Sequence, residues 1–235
     1  MKETSRFRSE DFRIFVSDKA GSVSATLLQP DTSNAVITLA HSAGTDMHQP
    51  FLRQLCEEFS GHNVATLRFN FPYRENGKKM PDRYPVAAAT ILAVIDHVII
   101  RFPDAPLFCA GKSFGGRMSS MTLSENSRPE VKGLIFFGFP LHPPDKPSIE
   151  RATHLEKSGI PMLFFQGTKD KLAYIDLITA ECAKLRNTTL VTLEGVDHSM
   201  TKGKQSGVDM LVQRSAHWIN QVIRTGIGDT AGHLQ

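Results

Sequence analysis

The stretch Pro106-Leu-Phe-Cys-Ala-Gly-Lys-Ser-Phe-Gly-Gly-Arg-Met-Ser-Ser-Met-Thr-Leu123 decides how the chain is read. It enters as a continuous apolar run, the mark of a strand covered on both faces, and leaves from Phe114 on a helical period. At the junction stands Gly111-x-Ser113-x-Gly115, followed by Gly116. A serine at such a junction sits on a sharp, strained turn with its hydroxyl exposed. Glycines two residues to either side let strand and helix pass without a Cβ between them. The N–H of Phe114, at the helix start, then faces whatever negative charge develops at the serine. The plainer alternative is a Gly-rich turn in which Ser113 only caps the helix.

Working outward, the same rhythm recurs. Residues 12–17 and 22–28 read as a leading hairpin with Asp18 to Gly21 as its turn. Strand-like runs follow at 35–41, 64–70, 106–111, 133–139, 161–167 and 189–195. Helical periods lie between them: from about Pro50 to Ser60, from about Pro85 to Arg101, from Phe114 onward, over about 173–185, and over about 206–224. Apolar strands alternating with helices predict a mostly parallel sheet in a three-layer α/β sandwich. Two connections are long for such a fold, 71–85 and 140–160, and both follow strands. In an open α/β sheet the ligand crevice lies beyond the carboxyl ends of the strands, which places the substrate between these loops.

Composition bounds the rest. The chain has 235 residues, 40% apolar, with 27 basic and 24 acidic side chains for a net charge of +3. That suits one domain over 1–235, with its core at about 10–222 and a frayed tail at 225–235. The charges are interleaved, so neither nucleic acid nor an anionic membrane is called for as a partner. The apolar runs Gly133–Phe139 and Ile91–Ile100 fall short of the roughly 20 residues of a membrane span. The amino terminus, MKETSRFRSEDFRIF, carries no apolar signal region. Cys56, Cys109 and Cys182 are odd in number, far apart and set in apolar surroundings, which excludes a disulfide framework or a Cys-x-x-Cys zinc site. The expectation is a soluble cytoplasmic protein with no metal and no cofactor.

A nucleophilic serine needs a base, and the base an orienting carboxylate. On this kind of elbow they follow in the chain order serine, acid, histidine, each just past a strand. Phe164-Phe-Gln-Gly-Thr-Lys-Asp170 puts Asp170 after one strand, and Thr189-Leu-Val-Thr-Leu-Glu-Gly-Val-Asp-His198 puts His198 after the next. Asp176 falls inside the following helix and Asp197 is too close in sequence to orient His198. His142 and His154 precede the strand before Asp170 and fit the order less well. A second donor to the oxyanion belongs in the loop after the third strand, His41-Ser42-Ala43-Gly44-Thr45-Asp46, at the N–H of Ser42 or Ala43. Thr45 and Asp46 are expected to cap the next helix, and His41 to pack the loop by hydrogen bonding.

For the substrate, Phe71, Tyr73, Arg74, Phe139 and His142 are candidate binding residues. At strand ends, core packing is an equal alternative for the aromatic ones. Arg68, Arg74, Lys78, Lys79, Arg83 and Arg117 either make the crevice basic or form solvated loops and structural ion pairs. Lys112, beside the serine, either lowers the basicity of His198 by like-charge repulsion or points away.

Taken together, RFNFPYRENGKKMPDR at 68–83, GKSFGGRMSSM at 111–121, FPLHPPDKP at 139–147 and FFQGTKD at 164–170 resemble the α/β-hydrolases. More narrowly, they resemble small bacterial hydrolases grouped with the KANSL and testis-expressed α/β-hydrolase-like proteins. The resemblance runs from about residue 10 to residue 222. It implies an eight-stranded sheet and Ser113, Asp170 and His198 as catalytic residues; some relatives in chromatin complexes are not known for catalysis. Where such proteins commonly carry an HGAG-like loop, this chain has His41-Ser42-Ala43-Gly44. The Pro and Gly that often follow the acid are replaced by Lys171-Leu172-Ala173. Ser113 also argues against the neighbouring dienelactone hydrolases, which use cysteine.

With only residues 140–160 available where lids are inserted, and a short helix at about Ser148 to Lys157 among them, the site is expected to be shallow. The function so read is hydrolysis of small or short-chain carboxylic esters or thioesters. The alternative is a non-catalytic interaction module that kept the fold.

Overall fold

The computed structural model describes residues 7–202 and 205–226. The leading hairpin is longer than its apolar alternation suggested: β1 (Phe7–Ser17) and β2 (Gly21–Pro30) pair antiparallel from Phe7 opposite Pro30 to Ser17 opposite Gly21. Gly21 takes φ +72°, the left-handed backbone that closes the turn. Then come β3 (Ala35–Ala40), α1 (Pro50–Ser60), β4 (Val64–Phe69), the single turn α2 (Pro72–Glu75), α3 (Tyr84–Arg101), β5 (Leu107–Lys112) and α4 (Phe114–Glu125). The second half holds β6 (Val131–Phe137), a 3-10 turn at Glu150–Ala152, α5 (Leu155–Ser158), β7 (Met162–Gly167), α6 (Ile175–Lys184), β8 (Thr188–Leu193), β9 (Thr201–Lys202), β10 (Gln205–Ser206) and α7 (Val208–Thr225).

Eight strands form one sheet in the order β1-β2-β4-β3-β5-β6-β7-β8. The pairs β1–β2 and β2–β4 are antiparallel and all the others parallel. The central parallel strands β3, β5 and β7 are buried throughout because helices cover both faces, whereas β8, at the edge of the sheet, is only partly buried. Alternation divides their side chains cleanly: Val36, Leu134, Phe136 and Phe164 face the layer of α3, α4 and α6, while Ile37, Ile135, Phe137 and Phe165 face α1 and α7. Across neighbouring strands the rings meet directly, Phe136 stacking on Phe164 at 4.4 Å and Phe137 on Phe165 at 5.5 Å. Each such ring contributes roughly 1.5–3 kcal/mol of burial, so these rows hold the centre of the sheet rigid.

α3 is, by length and composition, apolar enough to cross a membrane. Its buried residues Ala87, Ala88, Ile91, Val94, Ile95 and Val98 form one stripe against the sheet, as in the core helix of an α/β layer.

Two expectations need correction. Thr45 and Asp46 do not cap α1: its N-cap is Gln49, with Pro50 at the first turn and no side-chain cap. Asp46 instead accepts from the His48 N–H and pairs with Arg74. The helix expected at 148–157 is split into the 3-10 turn and α5, with Thr153 and His154 between them. The antiparallel pair β9–β10 was not anticipated. The tail beyond Gly226 lies outside the described residues. Among the described residues, no lid is inserted between β6 and β7. The carboxyl ends of β3, β5, β7 and β8 therefore come together at one open edge of the sheet.

Candidate active site

Glycine makes the elbow possible. A Cβ on Gly111 would lie 2.2 Å from the Gly116 nitrogen, and one on Gly115 would lie 2.4 Å from the Ala40 carbonyl oxygen. The first turn of α4 therefore rests directly on the ends of β5 and β3. The chain pays with Ser113, held at φ 52° and ψ −114°, a conformation that costs a non-glycine residue about 1–3 kcal/mol. Its N–H donates to the Phe137 carbonyl at 3.3 Å, tying the strained residue to β6.

The three residues expected to act together do meet. His198 Nε2 lies 2.8 Å from Ser113 Oγ, and Nδ1 lies 2.7 Å from Asp170 Oδ2. A carboxylate only accepts, so the ring's proton sits on Nδ1 and Nε2 is left to receive the serine hydroxyl. Asp170 is held in turn: Gln166 Nε2 donates to the same Oδ2 at 2.6 Å and the Leu172 N–H to Oδ1 at 2.8 Å. Asp170's side chain is fully buried whereas that of His198 keeps 26% of its surface open, so the acid is sealed beneath a base that faces the crevice. Asp176 lies in α6, and Asp197 is occupied by the N–H and hydroxyl of Ser199.

The loop after β3 is shaped by two aromatic rings. His41 is fully buried; its Nδ1 donates to the Ser42 carbonyl at 2.9 Å and its Nε2 accepts from the Phe71 N–H at 3.1 Å. Burial pushes its pKa down to about 4, so it stays neutral and structural. Tyr73 Oη accepts from the Gly44 N–H at 3.2 Å, and the Thr45 N–H returns to the Ser42 carbonyl at 3.4 Å. The N–H groups of Ser42 and Ala43 donate to no group among the described residues. Phe114, at the first position of α4, likewise has no intrahelical acceptor. Donors without an acceptor thus stand in the loop after β3 and at the start of α4, two segments that meet where Gly115 packs against Ala40.

Most of the expected substrate contacts prove to be scaffolding. Phe71 is fully buried and packs edge-on against His41 and Phe114. Phe139 packs on Phe136 and Phe164. Tyr73 buttresses the loop from behind. His142 is sealed, its Nδ1 donating to the Pro143 carbonyl at 2.8 Å and its Nε2 accepting from the Tyr174 N–H at 3.2 Å. It staples the 140–160 connection to the segment after Asp170. Phe71, Tyr73, Phe139 and His142 leave at most 1% of their surface for a ligand, so they support the crevice rather than line it. Arg74 is tied to Asp46 and to the Lys78 carbonyl. Lys78, Lys79 and Arg83 are exposed, and Arg117 is half-buried one turn beyond Ser113 with no ion pair among the described residues.

One residue of the site carries no signal that the sequence pattern assigns to it. Gln166 is fully buried and joins Asp170 to the Phe139 N–H, which donates to its Oε1 at 3.0 Å. Its only mark in the sequence is a single polar residue inside the apolar run of β7. Lys112 does not point away: its Nζ donates to the His198 carbonyl at 2.5 Å.

The fold recurs in known structures. Over 88% of this chain and 96% of its counterpart, it superposes on an alpha-beta serine hydrolase homologue from Coxiella burnetii, with a TM-score of 0.73 and 20% identity. A dienelactone hydrolase from Anabaena variabilis matches over 92% of this chain and 98% of its own, with a TM-score of 0.76 and 17% identity. A serine hydrolase without a lid from Xanthomonas campestris matches over 95% and 97%, with a TM-score of 0.68 and 17% identity. At these identities the likeness is one of fold. A family model described as an alpha/beta hydrolase domain matches residues 33–224, and with most of the chain inside that match, the protein belongs to the alpha/beta hydrolase domain family.

Proposed function

We propose that the protein is a serine hydrolase that cleaves small or short-chain carboxylic esters, or thioesters, through an acyl-enzyme on Ser113. The observation that carries this reading is the continuous chain Ser113 Oγ, His198, Asp170, with contacts of 2.8 and 2.7 Å. Ser113 Oγ attacks the carbonyl carbon while its proton passes to His198 Nε2, and Asp170 stabilises the imidazolium so formed. The carbonyl electrons move onto oxygen, where the N–H groups of Phe114 and of Ser42 or Ala43 hold the negative charge. As the tetrahedral adduct collapses, the carbon–oxygen or carbon–sulfur bond breaks and His198 returns the proton to the leaving group. A water, deprotonated by the same nitrogen, then releases the acid and restores Ser113.

The open edge of the sheet favours short acyl groups, since no described segment builds a long tunnel. The motifs at 68–83, 111–121 and 139–147 support placing the chain within the KANSL and testis-expressed branch of the family. Three free, buried cysteines fit a reducing compartment, and we place the protein in the cytoplasm. The test is a series of p-nitrophenyl esters from acetate to decanoate. Turnover that is highest for the short chains and abolished in Ser113→Ala supports the reading. Turnover unchanged in Ser113→Ala contradicts it, and no turnover at all favours the non-catalytic module.

A further inference from the structure

Lys112 occupies a position where the strand pattern asks for an apolar residue. In β5 it continues the row of Phe108 and Ala110, which face α1 and α7, and it is only 5% exposed. An ammonium taken out of water is costly unless something holds it, and an apolar side chain would fill this slot without that cost. No ion pair satisfies Lys112 among the described residues. Its hydrogen bond goes instead to the backbone carbonyl of His198, across 86 residues of sequence.

The surroundings show how closely the two are joined. Gly138, just past β6 at φ +72°, has no side chain, and a Cβ there would lie 3.3 Å from Lys112 Nζ, 3.3 Å from Met200 Sδ and 3.6 Å from His198 Cε1. The lysine head, the imidazole and the Met200 thioether therefore converge over one bare stretch of backbone. The loop carrying His198 is tightly wound: the Ser199 N–H donates to Asp197 Oδ1 at 2.9 Å, and the Met200 N–H to the Asp197 carbonyl at 3.1 Å, with Met200 at φ +66°. Such a loop moves as a unit, so a grip on one carbonyl sets where its imidazole stands.

We propose that Lys112 is a positioning residue for the reaction: reaching from the strand that carries Ser113 to the His198 carbonyl, it fixes the distance between base and nucleophile. This rests on the hydrolase reading above. Asp170 holds the ring and Lys112 holds the backbone, so the histidine is fixed at two points from two different strands. The charged and titratable groups facing Lys112 are Asp170 after β7, and Asp197 and His198 after β8. Burial pushes the lysine down to about 8 against the opposing pull of the two carboxylates. Below that pH the bond to the carbonyl is charge-assisted; above it a neutral amine remains, with a bond about half as strong. The grip is thus firm at neutral pH and slackens on the alkaline side.

The experiment measures kcat and KM for p-nitrophenyl acetate from pH 6 to 9.5 in wild type, Lys112→Met and Lys112→Arg. Lys112→Met is expected to lose on the order of 10- to 100-fold in kcat with KM within about twofold, the signature of a misplaced group rather than lost binding. Wild-type kcat is expected to fall above about pH 8. Lys112→Arg, whose charge does not titrate in this range, is expected to recover part of the rate and to lack that fall. Wild-type kcat in Lys112→Met, or a kcat in Lys112→Arg no higher than in Lys112→Met, would each overturn the proposal. If Lys112→Met does not fold, Lys112→Gln takes its place in the same comparison, with the same expected and contradicting results. A wild type that neither turns over ester nor reacts at Ser113 would instead remove the hydrolase reading on which the proposal rests.

Discussion

Gln166 and His198 share one oxygen: Asp170 Oδ2 accepts from Gln166 Nε2 at 2.6 Å and from His198 Nδ1 at 2.7 Å. Gln166 also receives the Phe139 N–H. Replacing it with leucine leaves a buried N–H unpaired and the acid free to turn. Gln166→Leu is expected to cost about 1–3 kcal/mol in urea unfolding and to lower kcat roughly tenfold, whereas Gln166→Glu adds a like charge beside Asp170 and should be worse on both measures.

Tyr73 holds the loop after β3 through the Gly44 N–H. Tyr73→Phe removes that acceptor without emptying the space. The expected result is a fall in kcat of about tenfold, below the 100-fold or more seen when an oxyanion donor itself is lost, with little change in Tm. A wild-type kcat would show that the loop is held without the phenol.

Gly115 tests the elbow. With a Cβ 2.4 Å from the Ala40 carbonyl oxygen, Gly115→Ala must push α4 off β3. A loss of about 1–3 kcal/mol is expected from the overpacking, together with loss of ester turnover because the Phe114 N–H shifts with the helix. A variant as stable and active as wild type would contradict the packing described.

Acid stability follows from two histidines. Burial pushes both His41 and His154 down to about 4, from about 6.5 in an unfolded chain. The folded value is the lower, so the native state resists a proton that the unfolded chain accepts. Stability is therefore full above pH 6.5 and is lost as pH falls toward 4, by about 2 kcal/mol at pH 5 for His41 alone. Urea unfolding at pH 7, 6 and 5 should show this decline, and His154→Gln should make it shallower. An equal slope in that variant would assign the effect elsewhere.

How much of this was legible in the sequence depends on how local each signal was. The parallel strands announced themselves because a strand buried on both faces is written as one apolar run, and α1 was located to its ends, Pro50 and Ser60. Ser113, Asp170 and His198 could be placed together because each needs only a residue type and a position after a strand. What failed depended on partners distant in sequence. Phe71, Tyr73, Phe139 and His142 sit on the right loops, but whether a ring lines a crevice or packs behind it is decided by neighbours such as Phe114, Phe164 and Tyr174. Gln166 was hidden for the same reason, and for Lys112 two orientations stayed open: their meaning lies in the Phe139 N–H and the His198 carbonyl, which no local pattern reveals. Asp46 reads as a cap on its own segment, yet Arg74, 28 residues away, claims it.

The most direct measurement is the intact mass of the protein after exposure to a fluorophosphonate at pH 7.5, followed by peptide mapping. A single adduct on Ser113, absent in Ser113→Ala and slowed at least 100-fold in His198→Ala, is the result expected of a serine made nucleophilic by its histidine. An unmodified protein, or an adduct on another residue that survives Ser113→Ala, would contradict the central claim.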